Sequence, residues 1–276
     1  MSMISKKDLD ELYCRLNRRE YVSPDPLQFL YNYSEGVDRE IVALIASSLA
    51  YGRVAQILKS VEKVLNLVKN PSNFIENNNF KSMRMLFKDF KHRFTTGDEI
   101  ASMLFAAKGA VERFGSLEGC FCDGFSASAA DISAAMAKFV DNMNKLAEKP
   151  LGYLLPSPIS GSACKRLNLF ARWMVRCDEV DPGFWRGIPP SKLIIPLDTH
   201  MYRICSSIGF TSRKSADFKT AAEITASLRE FSPEDPVKYD FSLTRLGIRS
   251  DMDPSSFIAK FSSGETNGTY SKKKAF

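Results

Sequence analysis

The sequence predicts an all-α fold. Apolar residues recur at the three- and four-residue spacing of a buried helix face along most of the chain. Leu9, Leu12, Tyr13 and Leu16 show this spacing near the N-terminus. No segment alternates apolar and polar residues as a half-buried strand does, and residues 192–195 are too short an apolar run to found a sheet. The 276 residues are enough for one large or two modest domains.

In the first half of the chain, Asp25-Pro26 predicts the start of a short helix, because proline suits a first helical turn. Residues 38–51 form the most apolar predicted helix, which Gly52-Arg53 interrupts. The polar residues 70–79 are predicted to form a connection. Predicted helices span 6–17, 27–30, 38–51, 54–69 and 100–114, with a short basic segment at 80–92.

In the second half, Met201, Ile204, Cys205 and Ile208 share one helical face. Asp198 stands just before this helix, at the position of an N-cap, and Gly209 follows it at a position that suits a C-terminal glycine. The Pro/Ser/Gly-rich residues 150–161 predict a loop. The other predicted helices span 129–147, 162–177, 218–229 and 236–246, and Gly247 is predicted to end the last one.

The composition is typical of a soluble globular protein, with 44% hydrophobic and 25% charged residues. No run of about 18 apolar residues predicts a membrane span, and the polar N-terminus does not resemble a signal peptide. We therefore expect a cytoplasmic protein that does not bind membranes. The net charge of +6 permits binding to a polyanion such as nucleic acid.

The six cysteines are scattered, so we expect reduced thiols. The close pair Cys120 and Cys122 matches no common zinc spacing, and the histidines number two, His92 and His200. We therefore expect no metal and no cofactor.

The segment Leu197-Asp198-Thr199-His200-Met201-Tyr202-Arg203-Ile204, with Ile208-Gly209-Phe210-Thr211 after it, resembles a known motif. It is similar to the aspartate segment of the helix-hairpin-helix DNA glycosylases, the superfamily of endonuclease III. The whole chain resembles a bacterial family that is a distant branch of this superfamily. The resemblance implies two helical lobes with the active site in a cleft between them. Residues 1–261 would form this two-lobed domain, with lobe boundaries near 35 and 150, and 262–276 a flexible polar tail.

The resemblance implies that Asp198 and Lys165 are the catalytic residues. A carboxylate stabilises the positive charge that develops on the sugar as the base leaves. A lysine amine near other cations, such as Arg166, can then add to C1′ as a nucleophile. The long gap between Lys165 and Asp198 resembles that of the archaeal oxoguanine glycosylases. Lys192 is an alternative amine, and Asp198 can also be interpreted as a helix cap alone.

The resemblance also implies a DNA-backbone contact at the hairpin, here reduced to Gly161-Ser162-Ala163. Backbone amides of such a hairpin hold a phosphate at a helix N-terminus. The basic residues predicted to contact the DNA backbone are Arg166, Arg172, Arg176 and Arg203. The alternative is that the arginines near Trp173 pair with Asp178 and Asp181. The iron–sulfur cysteines of endonuclease III have no counterpart in this sequence.

The end of the apolar helix at 38–51 corresponds to a position near the flipped-out base in the superfamily. Tyr51 and Arg53 flank Gly52 there, and Trp173 lies beside the arginines of the later helix. A stacking or wedge side chain is needed because the target nucleotide must leave the duplex stack. Tyr51, Arg53 and Trp173 are therefore predicted to shape the base pocket. A plain helix end at Gly52 and a buried Trp173 are the alternatives.

The leading hypothesis is a monomeric base-excision glycosylase, with or without lyase activity, that acts on double-stranded DNA. A second hypothesis is a nucleic-acid-binding module that keeps the fold without the chemistry. A third is an enzyme that acts on free nucleosides or RNA. The glycosylase would cleave a lesion-bearing duplex, and the binding module would bind DNA without cleaving it. The third protein would act on nucleosides or RNA without affinity for a duplex.

Overall fold

The computed structural model describes residues 4–248 and 254–261, and these residues are mostly helical, which confirms the all-α class. The predicted tail, 262–276, lies outside the described residues, and the division into two lobes stays a prediction. The α-helices are α1 Lys6–Leu16, α2 Val37–Ser48, α3 Val54–Val68, α4 Pro71–Asn77, α5 Phe80–Leu86, α6 Gly97–Phe114, α7 Leu117–Cys122, α8 Ser133–Leu146, α9 Lys165–Val175, α10 Thr199–Ser207, α11 Phe218–Phe231, α12 Asp240–Ile248 and α13 Pro254–Ala259. Single turns of 3-10 helix lie at Arg19–Tyr21, Pro158–Ser160 and Pro190–Lys192, and a longer one spans Pro26–Asn32.

Helix α2 lies at the centre of the core, because every residue from Glu40 to Ser48 is buried. It packs against α9, α4 and the 3-10 helix Pro26–Asn32. A helix without a polar face is buried on all sides, and this one agrees with that rule. It ends at Ser48, before the predicted end at Tyr51, because the amides of Ala50 and Tyr51 form tight turns instead of helical bonds. Residues 49–53 therefore form a connector to α3.

Short helices also lie where none is predicted, at α4, α7 and α13. Helices this short carry too few turns to show a clear apolar period. Helix α7 is held by a side chain distant in sequence, because the Glu40 carboxylate accepts hydrogen bonds from the amides of Leu117 and Glu118, both at 2.9 Å. The predicted helix at 236–246 begins later, at Asp240, and continues past Gly247.

A small hairpin departs from the otherwise helical plan. Strand β1, Lys91–His92, pairs antiparallel with strand β2, Thr95–Thr96. The turn places Arg93 at φ +53°, in the left-handed region, and leaves Phe94 67% exposed. Strands of two residues are too short for an alternating pattern to be recognised in the sequence.

Helix α10 lies close to α12, and this contact fixes the position of the N-terminus of α10. A Cβ atom at Gly247 would lie 3.2 Å from Ile204 Cδ1 and 3.3 Å from His200 Cβ. Because these distances leave little room for a side chain, glycine permits the close approach.

All six cysteines are free thiols. No helix in the described part of the chain is long and apolar enough to cross a membrane.

Candidate active site

A cavity of about 200 Å³ lies among α9, the start of α10, α12 and the connector at 49–53. It is smaller than the pockets of roughly 300–1,000 Å³ that hold drug-sized ligands. The ionisable and aromatic residues that line it are Asp25, Tyr51, Lys165, Arg172, Trp173, Asp198, His200, Asp240, Phe241 and Arg245.

Asp198 caps helix α10, as the sequence predicts. Its Oδ1 accepts hydrogen bonds from the amides of His200 and Met201, each at 2.9 Å. These two bonds hold the carboxylate at the positive end of the helix, where negative charge is favoured. The second oxygen, Oδ2, takes no part in the cap and is available to another group.

That group is the amine of Lys165, the first residue of α9. The distance from Lys165 Nζ to Asp198 Oδ2 is 3.4 Å, and the side chains are 34% and 21% exposed. Both residues line the cavity, so an amine and a carboxylate open onto the same space. A partly exposed pair of this kind can be reached by a bound molecule without unfolding the protein.

The alternative amine, Lys192, is directed elsewhere. Its Nζ donates a hydrogen bond to the carbonyl oxygen of Ala129 at 2.5 Å, and Lys192 is not among the residues that line the cavity. The structure therefore places Lys165, and not Lys192, beside Asp198.

Tyr51 lines the cavity from the connector that follows α2. Its hydroxyl donates to the carbonyl oxygen of His92 at 2.7 Å and lies 2.8 Å from Thr95 Oγ1. These contacts hold the ring against the β-hairpin. Burial lowers the pKa of His92, so its imidazole is neutral near pH 7 and acts as a structural partner of Ser60 and Tyr51. Arg53 is exposed, at the N-cap of α3, and is not among the lining residues.

Arg166 lies between two aromatic rings. Its guanidinium carbon is 4.9 Å from the ring centres of both Tyr51 and Tyr153, and its Nη1 donates to the carbonyl oxygen of Ser48 at 3.0 Å. Burial lowers the pKa of Arg166. Arg166 is therefore less available for the predicted contact with the DNA backbone, because its guanidinium already packs against the ring of Tyr51 beside the cavity.

The exposed neighbours of these rings form an aromatic rim, which we define as Phe94, Tyr153 and Arg93. Phe94 and Tyr153 are 67% and 42% exposed, and their ring centres are 5.7 Å apart. Arg93 lies 5.5 Å from the centre of the Phe94 ring. The ring of Tyr153 also contacts that of Tyr51, at 5.2 Å, so the rim adjoins the cavity. Phe94 and Tyr153 belong to a turn and a loop, where helical periodicity gives no signal.

The predicted contacts of Arg172 and Arg176 with the DNA backbone are wrong, because both side chains are buried, each 3% exposed. Arg172 pairs with Asp181 at 2.9 Å and with Asp240, and Arg176 pairs with Asp235 at 3.0 Å. Arg176 also pairs with Asp178 and Asp181. The alternative that the sequence left open, arginines paired to aspartates, is the correct one.

Trp173 lines the cavity but is only 1% exposed, so it belongs to the cavity wall. Gly161 is exposed at φ +78°, and its amide donates to the carbonyl oxygen of Pro158 at 3.0 Å. A phosphate would have to displace that bond to use this amide.

Arg203 is exposed on α10 and remains accessible to a partner.

The far side of the cavity holds residues that sequence reasoning did not select as site residues. Asp240 and Arg245 lie on α12, and Asp25 caps the 3-10 helix Pro26–Asn32. Burial raises the pKa of Asp240 to about 6, and nearby Arg172 opposes that rise. Asp25 is distant from the other two in sequence, so no local motif connects the three.

Among the described residues, no group of three or more His, Cys, Asp or Glu side chains is arranged to hold a metal ion.

The fold and cavity define an all-α protein in which a lysine amine meets a helix-capping carboxylate. The chain belongs to a family described as protein of unknown function, DUF2400, whose model matches residues 25–249. Every residue that lines the cavity lies within that range. No curated protein and no solved structure matches the chain.

Proposed function

We propose that this protein is a DNA base-excision glycosylase of the helix-hairpin-helix type, with the lyase activity that a catalytic lysine provides. The observation that carries the proposal is the 3.4 Å approach of Lys165 Nζ to Asp198 Oδ2 at an open cavity. In this proposal the two helical lobes of that superfamily flank the cavity, and double-stranded DNA is the partner.

Asp198 stabilises the positive charge that develops on the sugar as the C1′–N bond breaks. Its Oδ1 is held by two helix amides, so Oδ2 is preorganised toward the reacting centre. Preorganised charge of this kind contributes most where a site excludes water. The bonding electrons of the C1′–N bond leave with the base, which takes up a proton.

Lys165 is the nucleophile in the second part of the reaction. Asp198 Oδ2, 3.4 Å away, takes a proton from the Lys165 ammonium group. The neutral amine then donates its lone pair to C1′, and the sugar ring oxygen takes up one amine proton as the ring opens. Loss of the remaining amine proton gives an imine between Nζ and C1′. The imine acidifies the C2′ hydrogens, so removal of one of them expels the 3′ phosphate and cuts the strand.

Two surface features support a nucleic-acid partner. The net charge of +6 favours a polyanion, and the aromatic rim combines exposed rings with Arg93. Aromatic rings and arginines together stack with bases that have left the duplex. The rim adjoins Tyr51, so such a base would lie next to the cavity.

A non-catalytic nucleic-acid-binding protein is the second candidate. The observation that favours it is the ion pair itself, because Lys165 and Asp198 already satisfy each other at 3.4 Å. In this alternative Lys165 and Asp198 form a structural ion pair between α9 and α10.

The two candidates are separated by incubating the protein with duplexes that carry 8-oxoguanine, uracil, hypoxanthine or an abasic site, with and without borohydride. The proposal predicts base removal and a covalent adduct that persists in Lys192→Ala and disappears in Lys165→Ala. Binding to all duplexes without cleavage or adduct would support the non-catalytic alternative and contradict the proposal.

A further inference from the structure

The excess positive charge of the chain is concentrated in two segments, 53–63 and 88–94. Together they contain six basic residues and two acidic ones, Glu62 and Asp89. They therefore account for four of the six net positive charges of the whole chain. Helix α3 contains most of the first segment, strand β1 belongs to the second, and α3 and β1 are in contact.

Two side chains join these segments. Lys63 extends from α3, and its Nζ donates a hydrogen bond to the carbonyl oxygen of Asp89 at 3.1 Å. Arg93, in the turn of the hairpin, lies against the connector before α3, because a Cβ atom at Gly52 would be 2.9 Å from Arg93 Cδ. Glycine at position 52 thus leaves the space that the Arg93 side chain occupies, directly before Arg53.

Four cations of these segments form a basic strip, which we define as Arg53, Lys63, Lys91 and Arg93. All four are exposed, and none of them pairs with a carboxylate within the described part of the chain. Lys91 is directed outward, because its neighbour His92 is buried and successive residues of a strand point to opposite faces. The strip therefore presents charge that no group of the protein itself neutralises.

The basic strip adjoins the candidate active site. The residues on either side of Arg53, which are Gly52 and Val54, both line the cavity. Arg93 also belongs to the aromatic rim, 5.5 Å from the centre of the exposed Phe94 ring. A polyanion bound to the strip would therefore pass beside the cavity. Lysines and arginines that are free to pair with phosphates are the groups that bind a nucleic-acid backbone.

We propose that the basic strip binds the phosphate backbone of the strand whose nucleotide enters the cavity, an inference that rests on the proposed glycosylase function. The strip takes the role that the sequence assigned to Arg172 and Arg176, which are buried. Phosphate contacts position a protein on a duplex without reading its sequence. The strip therefore provides affinity for any duplex, and selection of the base is left to the cavity.

The arrangement favours nucleic acid over an anionic membrane surface. Arg93 lies beside the exposed rings of Phe94 and Tyr153, and arginines and aromatic rings together stack with unpaired bases. A membrane surface offers phosphates but no bases for these rings.

The test measures, by fluorescence anisotropy, how the affinity for an undamaged labelled duplex depends on salt. The strip variant carries Arg53→Gln, Lys91→Gln and Arg93→Gln. Its slope of log affinity against log salt concentration is expected to be less steep than that of the wild type by about 2–3, because each phosphate contact contributes about 0.9. Lys91→Gln alone is expected to reduce the slope by about one.

The control variant carries Arg18→Gln, Arg113→Gln and Arg186→Gln. These three arginines are exposed, and they belong neither to the strip nor to the cavity lining. The control loses the same charge as the strip variant and is expected to keep the wild-type slope. The comparison therefore separates phosphate contacts at the strip from the general effect of net charge.

The outcomes separate the inference from the function on which it rests. Equal slopes in the strip and control variants overturn the inference, even if the wild-type protein is trapped by borohydride on an abasic duplex. Absence of trapping by the wild type overturns the proposed function, whatever the slopes. Binding to vesicles that contain phosphatidylserine, without binding to a duplex, would assign the strip to a membrane and overturn the inference. If the triple variant fails to fold, an unchanged slope in Lys91→Gln overturns it.

Discussion

Asp198 combines two roles in one carboxylate. Oδ1 caps helix α10, and Oδ2 meets the amine of Lys165. The cap positions the charge, so the structural role and the proposed catalytic role depend on different properties of the same side chain. A substitution that keeps the cap but removes the charge can distinguish them.

Asp198→Asn is expected to keep most of the stability, because asparagine is as good an N-cap as aspartate. Asp198→Ala is expected to lower the free energy of unfolding by about 1 kcal/mol, measured by urea denaturation. Both variants are expected to lose base removal by roughly a hundredfold or more, because both remove the charge. Full activity in Asp198→Asn would contradict the electrostatic role.

The raised pKa of Asp240 leads us to expect a specific dependence of the free energy of unfolding on pH. Burial raises its folded pKa to about 6, above the ordinary value of 3.8, with Arg172 opposing and Asp198 adding to the rise. The folded state therefore holds the extra proton between these pH values, and stability from this group falls as the pH rises from about 4 to 6. Urea unfolding at pH 4, 5, 6 and 7 is expected to show this fall in the wild type relative to Asp240→Asn. If the free energy of unfolding changed with pH in the same way in both proteins, Asp240 would not have a raised pKa in the folded state.

At the scale of elements, helix α9 contributes residues to both the candidate site and the buried core. Lys165 is at its first turn, next to the cavity, while Arg172 and Arg176 lie within buried ion pairs with aspartates. Those pairs connect α9 to the loop at 178–181 and to α12, which carries Asp240 and Arg245. The position of Lys165 relative to the far side of the cavity therefore depends on this cluster.

Removing one partner from the cluster leaves buried charges uncompensated. Arg172→Met is expected to lower the free energy of unfolding by about 3–5 kcal/mol, because Asp240 loses its partner and Asp181 keeps only Arg176. Arg203→Ala, at an exposed position on α10, is expected to change it by about 0.5 kcal/mol or less. Chemical denaturation of both variants checks this contrast, and equal small losses would show that the cluster contributes little.

The elements differ in how far the sequence could predict them. The helix at α10, its cap at Asp198 and its glycine at 209 have local signals, because each involves neighbours in the chain. Helix α7 depends on Glu40, which is distant in sequence, and the burial of Arg172 depends on aspartates from several segments. The sequence offers pairing with Asp178 and Asp181 as one of two interpretations of these arginines, and nothing in the residue spacing indicates Asp235 or Asp240.

At the scale of the whole molecule, the cavity and the aromatic rim lie side by side. Tyr51 belongs to the cavity and contacts Tyr153 of the rim. The cavity with the Lys165–Asp198 pair therefore adjoins the exposed rings of the rim. In the proposed function, this surface receives a nucleotide that has left the duplex together with its neighbours.

Phe94→Ala is expected to weaken binding to a duplex with an abasic site by about 1–3 kcal/mol, because a stacking surface for an unpaired base is lost. Met85→Ala is the control, since Met85 is also exposed, at 64%, but belongs to α5 and not to the rim. Fluorescence anisotropy at fixed salt measures both affinities. Equal effects of the two substitutions would show that the aromatic rim does not contribute to duplex binding.

In the proposed reaction, Lys165 is the amine that attacks the sugar beside Asp198. The most direct measurement is mass spectrometry of the peptide that remains linked to an abasic duplex after borohydride reduction. We expect the reduced sugar to be attached to Nζ of Lys165. Attachment to Lys192 or to another lysine, or no adduct from protein that binds the duplex, would contradict it.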